Sequence, residues 1–296
     1  MTVIALFGPT ASGKTAVARA LLARLDAEVV SADSAALYQG LAVLTAAPDY
    51  PARLVGIFPL THDVTVGEYQ RLAHEAIDEI LAAGRTPVVV GGTGLYLRAA
   101  VSALHLPPPP APGARARWEA VYDEDAERAH ALLRNRDPAA AARVHANDRR
   151  RVVRALELAE AGASLAPAED RLWTEDTRHP TLIVALDLPL DELDRRIDAR
   201  AVEIARSGAV EEARRAWDLP LSETARKVMG IEPFATLPRE EATAEFARAN
   251  RRLARYQRKW LRRMPGVVTL DAMRRPEELA DEIVALAGAR ERLPRR

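Results

Sequence analysis

The sequence of 296 residues contains no cysteine, which excludes disulfides, thiolate metal sites and thiol catalysis. It also lacks any apolar run near the ~18 residues needed to cross a bilayer. The opening Thr2-Val-Ile-Ala-Leu-Phe7 is too short for a signal peptide and has no basic lead-in. Low-complexity repeats are missing, and so is a net charge: 42 Lys and Arg balance 42 Asp and Glu. A neutral chain argues against indiscriminate nucleic-acid binding. What remains is 48% hydrophobic and 28% charged, ordinary globular usage. The expectation is a cytoplasmic globular protein of one large or two ordinary domains, long enough to bury a proper core.

Local charge is less even than the total. From Arg248 to Arg263 every charged residue is basic, namely Arg248, Arg251, Arg252, Arg255, Arg258, Lys259, Arg262 and Arg263. Spacings of three and four put several on one helical face, while Phe246, Leu253, Trp260 and Met264 mark an apolar one. A solvated helix face and a phosphate-contacting surface both fit this pattern.

Residues 2–7 read as a buried strand, and residues 16–25 as a helix with Leu21, Leu22 and Leu25 in its apolar stripe. Val29-Val30 and Pro87–Val90 read as further strands, separated by a helix over Glu68–Ala83 that Gly84 closes. Continuous Val and Ile runs of this kind indicate a parallel sheet covered on both faces. At Leu106 the composition changes to the stiff, turn-rich Pro107-Pro-Pro-Pro110-Ala-Pro112-Gly113. Residues 114–162 are Ala-, Arg- and Glu-rich with helical period, interrupted at Asp137-Pro138. No strand signal follows until Thr181–Asp187. Residues 106–180 are therefore expected to form a helical insertion, and residues 1–105 with 181–296 the sheet-bearing core. Helices near 190–206, 208–217 and 240–263 and a short strand Val267–Leu270 complete the pattern. Gly288–Arg296, with Arg290, Arg292, Arg295 and Arg296, reads as a frayed basic tail.

The string Gly8, Pro9, Thr10, Ala11, Ser12, Gly13, Lys14, Thr15 is a complete Walker A loop, GxxxxGKT, between a strand and a helix. Its glycines let successive N–H groups point into one concavity, where the helix N-terminus adds positive potential. Lys14 offers a point charge to a terminal phosphate, and Thr15 a hydroxyl to Mg²⁺. The fold class expected is therefore α/β: a P-loop NTPase-like parallel sheet flanked by helices, with the helical insertion. In open parallel sheets the ligand lies beyond the carboxyl ends of the strands. Asp33 and Thr93 both follow such ends and should face the bound phosphates. Read singly, Asp33 can be a turn-capping acid and Thr93 a turn hydroxyl. No apolar strand ends in a convincing Walker B acid with a water-positioning partner. The residues alone thus reach a P-loop enzyme acting on a phosphate-bearing substrate, with a small-molecule or nucleotide kinase, or a non-catalytic RNA-binding protein, as alternatives.

Gly8-Pro-Thr-Ala-Ser-Gly-Lys-Thr15 resembles the loop of the tRNA dimethylallyltransferase (isopentenyltransferase) family, and the likeness continues in order. It runs through Ser31-Ala-Asp-Ser-Ala-Ala-Leu-Tyr-Gln-Gly40, Gly91-Gly-Thr-Gly-Leu-Tyr96, Asp137–His145, Asn147–Leu156, Arg196–Arg200, Lys227–Gly230 and Gln257-x-x-Trp260-Leu-Arg262. The resemblance implies that the P-loop cradles dimethylallyl diphosphate with Mg²⁺, as a leaving group and not as a phosphoryl donor. It implies an adenosine flipped in from the opposite side, beside the anticodon of a tRNA whose stem-loop is the partner. Asp33 would accept a hydrogen bond or proton from the exocyclic amine, Thr93 would contact the adenosine or reacting centre, and Arg200 would lie near the diphosphate. RNA contacts are implied at Asp33, Ser34, Ala35, Ala36 and Leu37, at Thr93, at Arg115, at Arg150, Arg151 and Arg154, and at Lys227 to Glu232. Departures from the family pattern stand at Ala47, where a lysine is common, and at Gly56, Ile231 and Tyr256. The zinc-binding extension of eukaryotic members is missing.

Overall fold

The structure, a computed structural model, describes residues 1–106, 111–166, 172 and 174–291. Strand β1 (Val3–Phe7) is apolar throughout and buried at every position. The chain turns at Gly13, which takes the left-handed φ of 93°, into α1 (Lys14–Leu22). Strand β2 (Ala27–Ser31) follows, then the two-residue β3 (Ala52–Arg53). Helix α2 (Val66–Ala82) starts two residues before the expected Glu68, where Thr65 accepts the Glu68 backbone N–H as the N-cap. Strand β4 (Thr86–Gly91) leads into α3 (Gly94–Val101).

Four helices come next: α4 (Ala114–Glu124), α5 (Ala126–Arg136), α6 (Pro138–Ala141) and α7 (Arg149–Glu160). Asp125, Asp137 and Asp148 cap α5, α6 and α7, so the Asp137-Pro138 break is a cap followed by a proline at the first helical position. Their own core contains Trp118, Tyr122, Leu133, Val152, Val153 and Leu156. Beyond them lie β5 (Thr181–Asp187), α8 (Leu190–Arg206), α9 (Ala209–Trp217), a 3₁₀ turn at Ala225–Lys227, α10 (Ile231–Thr236), α11 (Arg239–Leu261), β6 (Val267–Asp271) and α12 (Pro276–Glu291).

The chain divides into two compact units, Met1–Ala103 with Leu172–Arg296, and Leu104–Arg171. The division differs from the expected 106–180 at its far end. Residues 176–180 join the sheet unit because Ser102 Oγ donates to Asp176 O, Arg178 N to Val101 O, and Val3 N to Pro180 O. Of the proline-rich segment, Pro107–Pro110 lie outside the described residues, as do Arg292, Arg295 and Arg296 of the expected tail. Gly288–Arg290 do not fray: they are the last turns of α12, where Arg290 donates to Thr181 O. Helix α1 ends at Leu22, short of the expected residue 25.

All six strands are parallel, in the order β3-β2-β4-β1-β5-β6. One core face sets Ile4, Leu6, Val88, Val184 and Leu186 against Val17 and Leu21 of α1 and Leu279 and Ile283 of α12. Each buried aliphatic side chain of this size contributes about 1.5–3 kcal/mol. From β1 the chain goes to β2 on one side, and from β4 it returns to β5 on the other. The crevice beyond the carboxyl ends of β1 and β4 is thus the topological switch point.

Backbone crowds backbone there. A Cβ on Gly91 would lie 2.2 Å from Ala32 O, closer than any relaxation of a side chain can relieve. Gly91→Ala should therefore lower the unfolding free energy by about 2–3 kcal/mol, at the upper end of overpacking costs. A urea melt reads the change, and a midpoint equal to wild type would show that the two loops separate freely.

Candidate active site

The P-loop curls from the end of β1 into α1. Ala11 and Gly13 take positive φ of 62° and 93°, the first unusual for a residue with a side chain and the kind of strain that persists where structure over-determines it. Lys14 Nζ donates to Gly8 O at 2.9 Å and Pro9 O at 2.7 Å. The Ser12 side chain is buried, its Oγ is without a hydrogen-bond partner, and it occupies the space that a Cβ on Gly8 would need, 2.6 Å away. A buried hydroxyl left unpaired by the protein inside an amide-lined loop is a donor suited to an anionic oxygen.

A pocket beside the loop is lined by Lys14, Thr15, Asp33 and Arg200, together with the turn Thr45–Pro48 and Tyr50. Burial and, after it, the Arg200 guanidinium lower the Lys14 ammonium to about 7, with Asp33 opposing both. Arg200, brought in by α8, is itself lowered by burial and partly compensated by Asp33. Two cations thus share a partly desolvated site with one carboxylate. Such a site favours a ligand with more than one negative charge.

Asp33 lies two residues beyond β2. Its Oδ1 accepts the Ala35 N–H at 2.9 Å, so the turn-capping role considered for it holds, and it fixes the carboxylate while Oδ2 remains. Tyr69 of α2 fixes the strand end from below, its hydroxyl donating to Ser31 O at 2.9 Å. Its ring sits 4.5 Å from that of Tyr96, and burial raises both phenols, Tyr69 well above its ordinary value and Tyr96 to about 12. Thr93 is the N-cap residue of α3, yet its side chain makes no capping hydrogen bond. The turn-hydroxyl reading of Thr93 therefore fails at this helix start.

Strand neighbours bring these ends together: Phe7 pairs with Gly91, and Ser31 with Val90. One residue with no role assigned from sequence joins them. Gln257 of α11 is 5% exposed and accepts the Thr10 N–H through Oε1 at 2.8 Å. The Gln257 amide also fills the space beside Gly92, and the Trp260 ring the space beside Gly94. Both residues belong to the Gln257-x-x-Trp260 motif, but only their approach to glycines far away in the chain exposes the contact.

The remaining sequence-predicted residues fall elsewhere. Lys227 is exposed on the 3₁₀ turn near Asp63, whose carboxyl is raised by burial but held low by hydrogen bonds from Thr224 and Ser222, with Lys227 the smallest contributor. Thr224 in the preceding position of that turn bonds Tyr38 at 2.6 Å, which ties the turn to the segment after Asp33. In the helical unit, Arg115 Nε and Arg154 Nη1 each donate at 2.9 Å to Glu157, which is 2% exposed. Arg150 and Arg151 are exposed, Arg151 facing Asp148 at 3.6 Å.

The structure adds partners to the basic stretch and to one strand end. The run Arg248–Arg263 contains no acid, but acids from elsewhere meet it: Glu245 pairs with Arg248, Asp198 with Arg251, Asp194 with Arg255 and Asp187 with Arg258. Arg252, Lys259 and Arg262 make no ion pair among the described residues. The apolar stripe is also less pure than Phe246, Leu253, Trp260 and Met264 suggested, since Asn250 and Gln257 are buried on α11. Finally, an apolar strand does end in an acid. Asp187 closes β5 beside β1, but its Oδ2 is committed to Arg258 and its buried Oδ1 makes no hydrogen bond.

A family model described as IPP transferase matches residues 36–264. A tRNA dimethylallyltransferase of Salinispora tropica is 40% identical over 92% of this chain and 88% of its own. One of Anaeromyxobacter dehalogenans is 40% identical over 96% and 99%. Among solved structures, the tRNA isopentenylpyrophosphate transferase of Bacillus halodurans aligns with TM-score 0.69 and 28% identity over 98% of both chains. A eukaryotic dimethylallyltransferase acting on tRNA shares the fold at TM-score 0.78 and 22% identity, over 92% of this chain and 74% of that one. With the P-loop, the second helical unit and this collinear identity in place, the chain belongs to the tRNA dimethylallyltransferase family of prenyltransferases.

Proposed function

We propose that this enzyme moves a dimethylallyl group from its diphosphate to the exocyclic N6 of the adenosine 3′ to the anticodon, in tRNAs reading codons that begin with U. The observation that carries the reading is the cluster of Lys14, Arg200 and Asp33 beside a P-loop with an unpartnered Ser12 hydroxyl. The cations and loop amides suit a diphosphate, and the carboxylate suits an amine. In the reaction N6 attacks C1 of the dimethylallyl group, the C1–O bond breaks, and the diphosphate departs with the electron pair. Asp33 takes the amine proton, which an aromatic amine needs because it is a weak nucleophile. Lys14, Arg200, the loop amides and Ser12 meet the charge that builds on the leaving oxygen. Thr93, its hydroxyl not used for capping, contacts the adenosine or reacting centre. A kinase would use the same loop, but nothing beyond the loop favours it.

The donor set fits Mg²⁺. No group of three acidic or histidine side chains converges among the described residues. Oxygen atoms of Thr15 and of the diphosphate, with Asp33 in the same pocket, match an ion that takes few protein ligands. When bound, the ion neutralises charge on the diphosphate. Ser34, Ala35 and Ala36 beside Asp33, Lys227 on its turn, and Arg115, Arg150, Arg151 and Arg154 of the helical unit are assigned to the tRNA anticodon stem-loop. No helix among the described residues is long and apolar enough to cross a membrane.

Purified protein given dimethylallyl diphosphate, Mg²⁺ and unmodified tRNA should yield one tRNA nucleoside enlarged by C5H8, read by mass spectrometry of the digested tRNA. Asp33→Asn should bind the diphosphate normally and lose turnover by ~10²-fold or more, the scale of a lost general base. Turnover near wild type in that folded variant removes Asp33 from the chemistry.

Lys14 gives a pH signature. In the free protein it is largely neutral above about pH 7, and diphosphate charge restores the ammonium. Binding at pH 8 should take up as much as about one proton per site, and at pH 6 almost none, because Lys14 is then already charged. Calorimetric titration with dimethylallyl diphosphate in buffers of different ionisation enthalpy measures this. Lys14→Met should abolish the difference, and uptake that survives in that variant assigns the proton to another group.

The arginines require variants that spare Glu157. Removing Arg154 takes an arginine partner from one oxygen of the buried Glu157 carboxylate, which destabilises for reasons unrelated to RNA. The double variant Arg150→Ala, Arg151→Ala leaves Arg115 and Arg154 on Glu157. If both arginines touch phosphates, the log–log salt dependence of tRNA binding should flatten by about one unit for each phosphate no longer neutralised, with diphosphate affinity unmoved. Filter binding at several salt concentrations decides, and an unchanged slope returns both residues to solvated charge.

A further inference from the structure

We infer that Gln257 is a positioning residue for prenyl transfer, fixing the separation between the diphosphate cradle and the loop that carries Thr93. The inference rests on the preceding reading in that Thr93 stands at the acceptor end of the reaction. Gln257 is a polar side chain on the buried face of α11, among Ala247, Asn250 and Ala254, where an aliphatic residue would serve packing as well. One end of its amide is hydrogen-bonded and the other is packed. Oε1 accepts the Thr10 N–H at 2.8 Å, and because that partner is a donor, the amide orientation is fixed. Nε2 lies against Gly92, where an added Cβ would stand 2.4 Å from it and 3.0 Å from Gly8 O. The same helix turn sets the Trp260 ring against Gly94, 2.4 Å from where a Cβ would be. One helix turn therefore braces the residues on both sides of Thr93, and the same amide holds the first half of the P-loop.

This has a chemical consequence for the loop. Thr10 N–H is a P-loop amide, and Gln257 gives it a protein acceptor 247 residues away in sequence. That amide is thereby turned away from phosphate, leaving the cradle to the later amides of the loop, Ser12 and Lys14. Without the acceptor, Thr10 N–H would be a part-buried donor in search of an oxygen, and the nearest anion would be the diphosphate itself. The leaving group would then settle in a second register, out of line with an amine held at Asp33 and Thr93. Displacement of a reacting group by about 1 Å can cost ~10²-fold in rate.

Three variants test the role. Gln257→Met keeps the length and burial and removes the acceptor. Gln257→Asn keeps the amide but falls one methylene short of Thr10. Gln257→Glu keeps an acceptor for Thr10 N–H and adds negative charge beside the cradle. Steady-state turnover with dimethylallyl diphosphate and unmodified tRNA should show kcat lowered about tenfold to a hundredfold in the Met and Asn variants, with tRNA affinity within about threefold of wild type. The Glu variant should keep kcat closer to wild type and show a raised KM for the diphosphate. Rescue of kcat by Glu is the result a merely structural role would not give, since a buried carboxylate is the least favourable of the three for stability. Thermal melts of all three identify any that fail to fold, and the folded ones decide. Wild-type turnover in the same assay separates the two claims: if wild type does not transfer the prenyl group, the functional reading falls. If wild type is active and a folded Met or Asn variant keeps kcat within twofold of it, the role of Gln257 is overturned.

Discussion

Close approach of backbone to backbone at the carboxyl ends of β1, β2 and β4 is the constraint on which the rest of the molecule depends. Gly91 lies on Ala32, Gly92 on Gly8 and Gln257, and Gly94 on Trp260. Each contact removes the room for a Cβ; those to Ala32 and Gly8 join loops from different strands, and those to Gln257 and Trp260 join the Thr93 turn to α11. Because the loops interlock, the P-loop, the Asp33 turn and the Thr93 turn behave as parts of one body. Their relative positions follow from this packing and from the Gln257 and Trp260 side chains wedged against the glycines. Tyr69 and Gln257 then pin the body from two helices, one through Ser31 O and the other through Thr10 N.

A rigid cradle can hold charges at a distance that flexible loops would relax. Burial shifts both Lys14 and Arg200 toward their neutral forms, and Arg200 adds to the shift of Lys14, while Asp33 offsets only part of that cost. In the proposed reaction the diphosphate supplies the missing negative charge on arrival, so the cost of keeping the cations is recovered as binding. The same arrangement favours the departing diphosphate over the intact substrate, because charge on the leaving oxygen rises as the C1–O bond breaks.

How much of this was legible in the sequence depends on the range of each contact. The P-loop, β5, α8 and the Asp137-Pro138 break were readable because strands, helices and caps are governed by residues a few positions apart. Asp33 and Thr93 were singled out because the topology of a parallel sheet sends strand ends to one edge, whatever the side chains do. Gln257 was not, since its partner is 247 residues away and its helix face otherwise reads as apolar. Glu157 was missed for the related reason that an acid within a helical pattern reads as solvated until the Arg115 and Arg154 partners are seen. The helical path of Gly288–Arg290 is likewise set by packing of α12 against the sheet, which a terminal position hides.

Long-range pairing also changes what the basic stretches can do. On α11, four arginines that look like an RNA surface are matched by Glu245, Asp198, Asp194 and Asp187, leaving Arg252, Lys259 and Arg262 outside the ion pairs described. On α7, Arg154 and the Arg115 of α4 share a buried carboxylate, so part of their charge is answered within the protein. An exposed ion pair is worth little and opens readily to an RNA phosphate, whereas a cation on a buried carboxylate leaves it only at the cost of desolvated charge. In the proposed complex with tRNA, Arg115 and Arg154 would stay fixed on Glu157, and Arg150 and Arg151 would act as mobile counterions. The first pair would confer register on a bound stem-loop, and the second the salt-dependent share of its affinity.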